Sequence, residues 1–458
     1  MPSEQPDSSW TGRIESLAPD GTGIGTVEGR AADGQRLRRP IFIPYTVPDD
    51  TVEATIRERK GKYLFGELSR IIEPSSHRVT PACPHYLTCG GCDWQHLAYD
   101  EQLRQKARII AHRIAKAGVQ LPSAITVLPS KERHRYRQRA RVAVRFSGGR
   151  CVAGFRKRRS REIVPIGTCL IVDQAITDLI IALNKSEDAP QELEGREIEI
   201  LTVVGEKGKL GILARIDGFA PSEQPVIRTW LERMYAQDRK LIGNALVADG
   251  RAVRAIGQVQ EHFTYSADGI TFGFSPEMFI QSNIATDEVL IDRAMAMLIK
   301  DREPKRMTVI DLYAGIGNLS LPTARRCAHV IAVEGNETSV HAANANALRN
   351  AFTNITVLHR SIERYLREHE RWKGQDPHYP VPDAVLLDPP RTGLSEPVRA
   401  ALLTMLPARI VYVSCDSTTL ARDLRELTTA YDLKDIIGID MFPDTSDVEA
   451  VCVLDRKD

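Results

Sequence analysis

No stretch of this 458-residue chain approaches the roughly 20 consecutive apolar residues that a membrane-crossing helix needs. The opening residues, MPSEQPDSSW, are polar and lack the apolar core of a secretory leader. Both absences argue against a membrane or exported protein, so the expected location is the cytoplasm, with no membrane partner. In that compartment the eight cysteines are expected as thiols, metal ligands or nucleophiles rather than disulfides. The net charge is only +1, so no global basic field is present. Repeats and low-complexity tracts are missing too, and nothing signals an oligomer, so a monomer is expected.

The rest is the composition of an ordinary globular protein, 42% hydrophobic and 26% charged. The length suits several domains. After a disordered tail expected at residues 1–9, residues 10–71 carry five short apolar or alternating segments between PDG, ADG and VPDD turns. This pattern predicts a small β-barrel of OB type. A β-rich central unit is expected over 72–265, with helices near 99–117, 173–183 and 225–236. From 266 to 458 strand and helix patterns alternate, which predicts a doubly wound parallel sheet. The fold class is thus a multidomain α/β protein.

Charge is concentrated locally. Between residues 131 and 161 there are thirteen lysines and arginines and one acid, Glu132. Arg137, Arg139, Arg141 and Arg145 take alternate positions, which puts them on one side of a strand. A one-sided row with this little acid nearby suits a polyanion such as nucleic acid, although a solvated sheet face is the usual fate of a charge run.

The segment Asp311-Leu312-Tyr313-Ala314-Gly315-Ile316-Gly317-Asn318 follows one predicted strand and opens a helix. Its glycines let backbone approach a ligand. Glu334 ends the next strand, where an acid can accept from ribose hydroxyls. The third glycine of the dinucleotide fingerprint and the P-loop lysine are both absent. This favours a nucleoside without a pyrophosphate, and S-adenosylmethionine fits an acidic loop. Ser361 closes the third strand near the adenine position, and reads equally as a helix cap.

Asp388-Pro389-Pro390-Arg391 ends the fourth strand as a rigid lip. Cys415 ends the fifth, before the helix start Ser417-Thr418-Thr419. Buried cysteine is commonly a packing residue, but a thiol at a helix N-terminus is expected to have a stabilised thiolate. Glu449, at the start of the final strand, is a candidate general base.

Cys83, Cys89 and Cys92 cluster in PACPHYLTCGGCDWQH, and Cys169 is a candidate fourth ligand. Three close cysteines and one distant suit a cubane cluster better than zinc, which more often takes two C-x2-C pairs. Cys151, Cys327 and Cys452 lie in apolar patterns and read as packing.

Together DLYAGIGN, DPPRTG, VSCDSTTLARDL and DMFPDTSDVEAV resemble the RNA uridine-5-methyltransferase family over nearly the whole chain. The closest resemblance is to the 23S ribosomal RNA enzymes that carry an iron–sulfur cluster, and the N-terminal segment resembles a TRAM domain. The resemblance implies methylation of uracil C5 with Cys415 as nucleophile at C6 and Glu449 as base. It implies S-adenosylmethionine lined by Gln281, Tyr313, Asn318, Glu334, Ser361 and Asp388, with Gly315 in the cofactor loop. It also implies a 4Fe–4S cluster on Cys83, Cys89, Cys92 and Cys169. Ribosomal RNA (23S) is the expected partner, with transfer RNA, or an RNA-binding protein with an inactive methyltransferase domain, as alternatives. The chain departs from the family at Asp416-Ser417 (usually Asn-Pro), Asp447 (usually His) and Ser361 (usually Asn or Asp). An acid beside a thiolate raises its pKa unless it points away.

Overall fold

The computed structural model describes residues 8–30, 36–206, 208–237, 242–249, 252–256 and 263–458. Most of the expected tail lies outside them, and Ser9 already opens a strand. The N-terminal unit is a six-stranded sheet ordered Ser9–Arg13, Thr51–Lys60, Tyr63–Glu73, Arg36–Ile43, Gly23–Arg30, Ser16–Leu17. The run from Gly12 to Leu17 is divided between two of these strands. Ile14 donates to the Asp50 carbonyl and Glu15 to that of Ile24, so the chain changes partners there. Trp10, Ile41, Ile43, Val52 and Leu64 form its core.

The central unit is a seven-stranded sheet in the order Ile163–Pro165, Arg150–Arg156, Arg139–Ser147, Glu197–Val204, Leu210–Arg215, Ile242–Asp249, Ala252–Ile256. Helices Gln174–Lys185 and Glu223–Gln237 contribute buried side chains to the same core. The arginine row corrects one expectation. Strand Glu197–Val204 pairs with Arg139–Ser147 and brings acid to it. Glu197 binds both Arg145 and Arg156, and Glu199 lies 3.6 Å from Arg141. These partners are some fifty residues away in sequence, which is why the local run looked unneutralised.

The C-terminal sheet contains β1 (Thr308–Leu312), β2 (His329–Glu334), β3 (Ile355–His359), β4 (Ala384–Leu387), β5 (Arg409–Ser414), β6 (Tyr431–Ile439) and β7 (Glu449–Arg456). Their order is β3-β2-β1-β4-β5-β7-β6, with β7 antiparallel to both neighbours. The strands are continuous apolar runs because both faces are covered. Along β5, Ile410 and Tyr412 enter one core while Val411 and Val413 enter the other.

Three helices matter below: α1 (Tyr99–Lys116), α2 (Ile284–Ile299) and α3 (Ser417–Leu427). Although α1 was expected in the central unit, its Ile110 and Ile114 pack with Leu420 and Leu424 of α3. The fully buried pair Lys106–Asp440, 2.5 Å apart, fixes α1 to the loop after β6. Strand Val127–Leu128 extends the C-terminal sheet beside β6. The spacing of apolar residues shows that a helix has a buried face, but not which sheet covers it. The expected boundary at 265/266 also falls inside strand Phe263–Ala267, whose hairpin with Ile270–Phe274 packs on α2.

Candidate active site

The sheet delivers its polar residues at the C-terminal ends of its parallel strands, where open α/β sheets bind ligands. After β1 the chain turns through Tyr313 (φ 68°), Gly315 (φ 56°) and Gly317 (φ 97°). Left-handed backbone explains the glycines, and Tyr313 is a bulky residue held there against its preference. The Gly315 amide donates to Glu334 Oε2 at 2.9 Å, and Glu334 Oε1 accepts from the Asn336 amide at 2.7 Å. Glu334 therefore braces the loop from the end of β2.

Asn318 donates to Asp287 Oδ1 at 3.0 Å and accepts from the Tyr265 hydroxyl at 2.9 Å. Asp287, in the first turn of α2, is fully buried, and its Oδ2 has no hydrogen-bond partner. Asp311, also fully buried, accepts from Ser320 through Oδ2 and leaves Oδ1 unpartnered. Burial pushes both carboxyls up to about 7. These acids sit with Asp388 and Glu449 as one electrostatically coupled group. A pocket of such carboxylates suits a cation and disfavours phosphate. Asp287 and Tyr265 were missed in the sequence. The helix also carries Glu288, Asp292 and Arg293, so nothing local singled out Asp287 as the buried acid.

Gln281 is buried, and Asn283 caps α2, accepting from the Thr286 amide at 3.1 Å. Asn283 also donates to Ser130 and to the Met441 carbonyl, so it ties α2 to two loops. Ser361 caps helix Ile362–Trp372 through the Arg364 amide at 3.4 Å.

Cys415 and Glu449 become neighbours through the antiparallel pairing of β5 and β7, in which Ser414 faces Ala450. Cys415 is half-buried and Glu449 is buried. Burial, then Asp388 and Asp447, push the Glu449 carboxyl up to about 8. Burial, then Glu449, push the Cys415 thiol up to about 12, against the pull of Arg391. Asp388, beside the lip, is pushed up to about 7 by burial.

The expected thiolate stabilised by a helix N-terminus is therefore corrected: burial and the neighbouring carboxylates work against the ionised thiol. Asp416 explains part of this. Its carboxylate caps α3, accepting from the Thr418 and Thr419 amides at 2.8 and 2.9 Å. The positive end of the helix is thus engaged by Asp416 rather than by the thiol. The second departure, Asp447, pairs with Arg391 at 3.2 Å.

Beyond this pair opens a cavity of about 490 Å³. Cys83, Cys89, Cys92 and Cys169 line it, as do Arg137, Arg139, Arg141, Arg391 and Asp447. All four thiols are free. Among the described residues, no group of three or more His, Cys, Asp or Glu is gathered tightly enough for a single metal ion. The thiol loop is anchored beside the candidate base, because the Asp93 and Trp94 amides both donate to the Asp444 carbonyl. Cys151, Cys327 and Cys452 are buried in cores.

Comparison with known proteins agrees with this geometry. The family model described as tRNA (Uracil-5-)-methyltransferase matches residues 98–457, and that of the TRAM domain matches residues 13–69. The chain is 30% identical over 454 residues to the 23S rRNA (uracil(1939)-C(5))-methyltransferase RlmD of Pectobacterium atrosepticum, covering 98% of this chain and 94% of that protein. It is 32% identical to an uncharacterized RNA methyltransferase of Halalkalibacterium halodurans, covering 97% and 96%. Among solved structures, Pyrococcus abyssi tRNA (uracil-54, C5)-methyltransferase with S-adenosyl-L-homocysteine matches with a TM-score of 0.67 at 22% identity, covering 97% of this chain and 99% of that one. No helix among the described residues is long and apolar enough to cross a membrane. With its TRAM domain and methyltransferase fold, the chain belongs to the tRNA (uracil-5-)-methyltransferase family and is an S-adenosylmethionine-dependent RNA uracil-C5 methyltransferase.

Proposed function

We propose that this enzyme methylates C5 of a uridine in 23S ribosomal RNA through a covalent cysteine adduct. The observation that carries the chemistry is the neighbouring placement of Cys415, just past the end of β5, and Glu449, at the start of β7, beside Asp388. Cys415 loses its proton to solvent, and its sulfur bonds to C6 of the uracil as the C5–C6 double-bond electrons move toward C5 and the C4 carbonyl, which makes C5 nucleophilic. C5 takes the methyl group from the sulfonium of S-adenosylmethionine, leaving S-adenosylhomocysteine. Glu449 removes the C5 proton, the C6–S bond breaks, and the thiolate departs. A base raised to about 8 is matched to neutral operation.

Burial and Glu449 raise the Cys415 thiol. Arg391 is the cation positioned to favour its ionised form. The carboxylates Asp287, Asp311 and Asp388 face the cationic methionine portion of the cofactor. Glu334 takes the ribose, Tyr313, Asn318 and the Gly315 backbone line the site, Gln281 reaches cofactor or base, and Ser361 lies toward the adenine.

The four free thiols in one cavity are a fitting donor set for a 4Fe–4S cluster, which spreads its ligands over four corners rather than around one ion. Cys83, Cys89, Cys92 and Cys169 would hold it. Methyl transfer requires no electron, so the cluster would supply structure beside the RNA. The protein acts as a monomer in the cytoplasm.

Labelled S-adenosylmethionine, incubated with RNA lacking the modification, tests the reading. Label in 5-methyluridine of 23S RNA supports it. Label confined to transfer RNA favours the second reading, to which the likeness to the Pyrococcus enzyme points. No transfer would sink the catalytic assignment. Equal amounts of iron and acid-labile sulfide after anaerobic purification support the cluster, and a colourless zinc protein rejects it.

A further inference from the structure

We propose that the concave face between α1 and α3 seats a backbone phosphate of the substrate RNA, an inference that rests on the RNA-methyltransferase reading above. This second cavity, about 210 Å³, is lined by Arg113 and Lys116 of α1 and by Thr418, Arg422 and Arg425 of α3. The spacings of three, four and seven residues put these side chains on the two facing sides of the helices.

Four cations converge there, and the acids nearby are engaged elsewhere. Glu426 binds Arg399 at 2.7 Å. Asp423 is taken by Arg422 at 2.8 Å, by Arg399 and by the Tyr412 hydroxyl. Arg113, Lys116 and Arg425 have no ion-pair partner among the described residues, and Arg113 Nε is buried without a hydrogen-bond partner. On a convex surface such charges splay into water. Gathered in a concavity they repel one another, and a phosphate relieves that cost with charge-assisted hydrogen bonds.

The position relative to the thiol selects RNA as the source of that phosphate. α3 begins two residues after Cys415. Arg425 lies ten residues past the thiol, about 15 Å along the helix at 1.5 Å per residue. The lip rests on the same helix. Thr419 donates to the Arg391 carbonyl, and Arg422 donates to those of Thr392 and Leu394. Arg391 faces the larger cavity with Arg137 and Arg139. Cations therefore line the larger cavity at the lip and the seat along α3, the helix on which the lip rests. A strand that reaches Cys415 and continues along α3 would meet the seat.

The test reverses two exposed cations together, Lys116→Glu with Arg425→Glu, and measures binding to an unmodified 23S RNA fragment across a salt series. The expected result is an affinity at least about tenfold weaker and a log K against log salt slope flatter by about one to two. S-adenosylmethionine affinity should be unchanged, and Arg306→Glu, outside the cavity, should leave RNA affinity within about twofold. Arg113→Gln alone should weaken binding several-fold. Unchanged affinity and slope in the double variant, with cofactor binding intact, would overturn the seat. So would an equal loss in Arg306→Glu, which would reduce the effect to net charge. If the wild-type protein transfers no methyl to any RNA, the functional reading falls and the seat with it. If it transfers normally and the double variant binds as well, only the seat falls.

Discussion

The Asp447 carboxylate holds the Arg391 guanidinium at 3.2 Å, and that guanidinium opposes the burial that raises the Cys415 thiol. Asp447 also raises the neighbouring Glu449. A residue that departs from the family pattern thus acts on both the nucleophile and the base.

Asp447→Asn removes a negative charge beside Glu449, so the Glu449 pKa should fall from about 8. A base works when deprotonated, so activity rises as pH passes its pKa. The acid limb of the kcat/KM profile should therefore move to lower pH, by roughly half a unit to one unit. A limb that stays in place would mean that Glu449 is not the group titrating.

Glu449→Gln should leave the adduct without its exit. Uracil is methylated once, the C5 proton stays, and the C6–S bond cannot break. Denaturing electrophoresis should show protein and RNA joined, with turnover reduced at least about a thousandfold. Adding Cys415→Ala should abolish the joined species. If it persisted, another residue would be the nucleophile.

Asp416→Ala should cost about 1 kcal/mol of stability through the lost cap of α3. Asp416→Asn keeps an acceptor and should lie within a few tenths of wild type. Because the carboxylate is engaged by the Thr418 and Thr419 amides, methyl transfer should change less than about tenfold in either variant. Denaturant unfolding with single-turnover kinetics measures both.

Asp287 and Asp311 are raised to about 7 in the folded protein, against about 3.9 in an unfolded chain. A raised folded pKa gives stability that is full below the unfolded value and lost as pH rises through the folded one. The cofactor-free protein should therefore lose Tm between about pH 4 and 7. S-adenosylmethionine, a cation, should restore more at pH 8 than at pH 5, by roughly 5 °C. Asp287→Asn should flatten that difference in a thermal-unfolding series.

The sequence disclosed what is local. The glycine loop, the Pro-Pro lip and the thiol at a strand end all stand where their patterns put them, because each depends on a few adjacent residues. Long-range pairing was less legible. Glu197 and Glu199 neutralise arginines through a strand partner remote in sequence. α1 covers a sheet whose strands begin about two hundred residues later. Asp416 looked like a charge pressed against Cys415, since adjacency in sequence says nothing of direction. Its role as a cap follows from the backbone dihedrals there, which turn its carboxylate onto the amides of α3.

β7 is the last of the seven strands to be synthesised, yet it lies inside the sheet between β5 and β6. Until it threads into that gap, β5 has an open edge, β6 is joined on one side only, to Val127–Leu128, and Glu449 is not beside Cys415. Closing the sheet and bringing Glu449 beside Cys415 are therefore one event. A chain in which β7 has not docked carries the nucleophile, the lip and the cofactor loop without the base beside the thiol, and damage confined to that strand should be read out as loss of folding before loss of turnover.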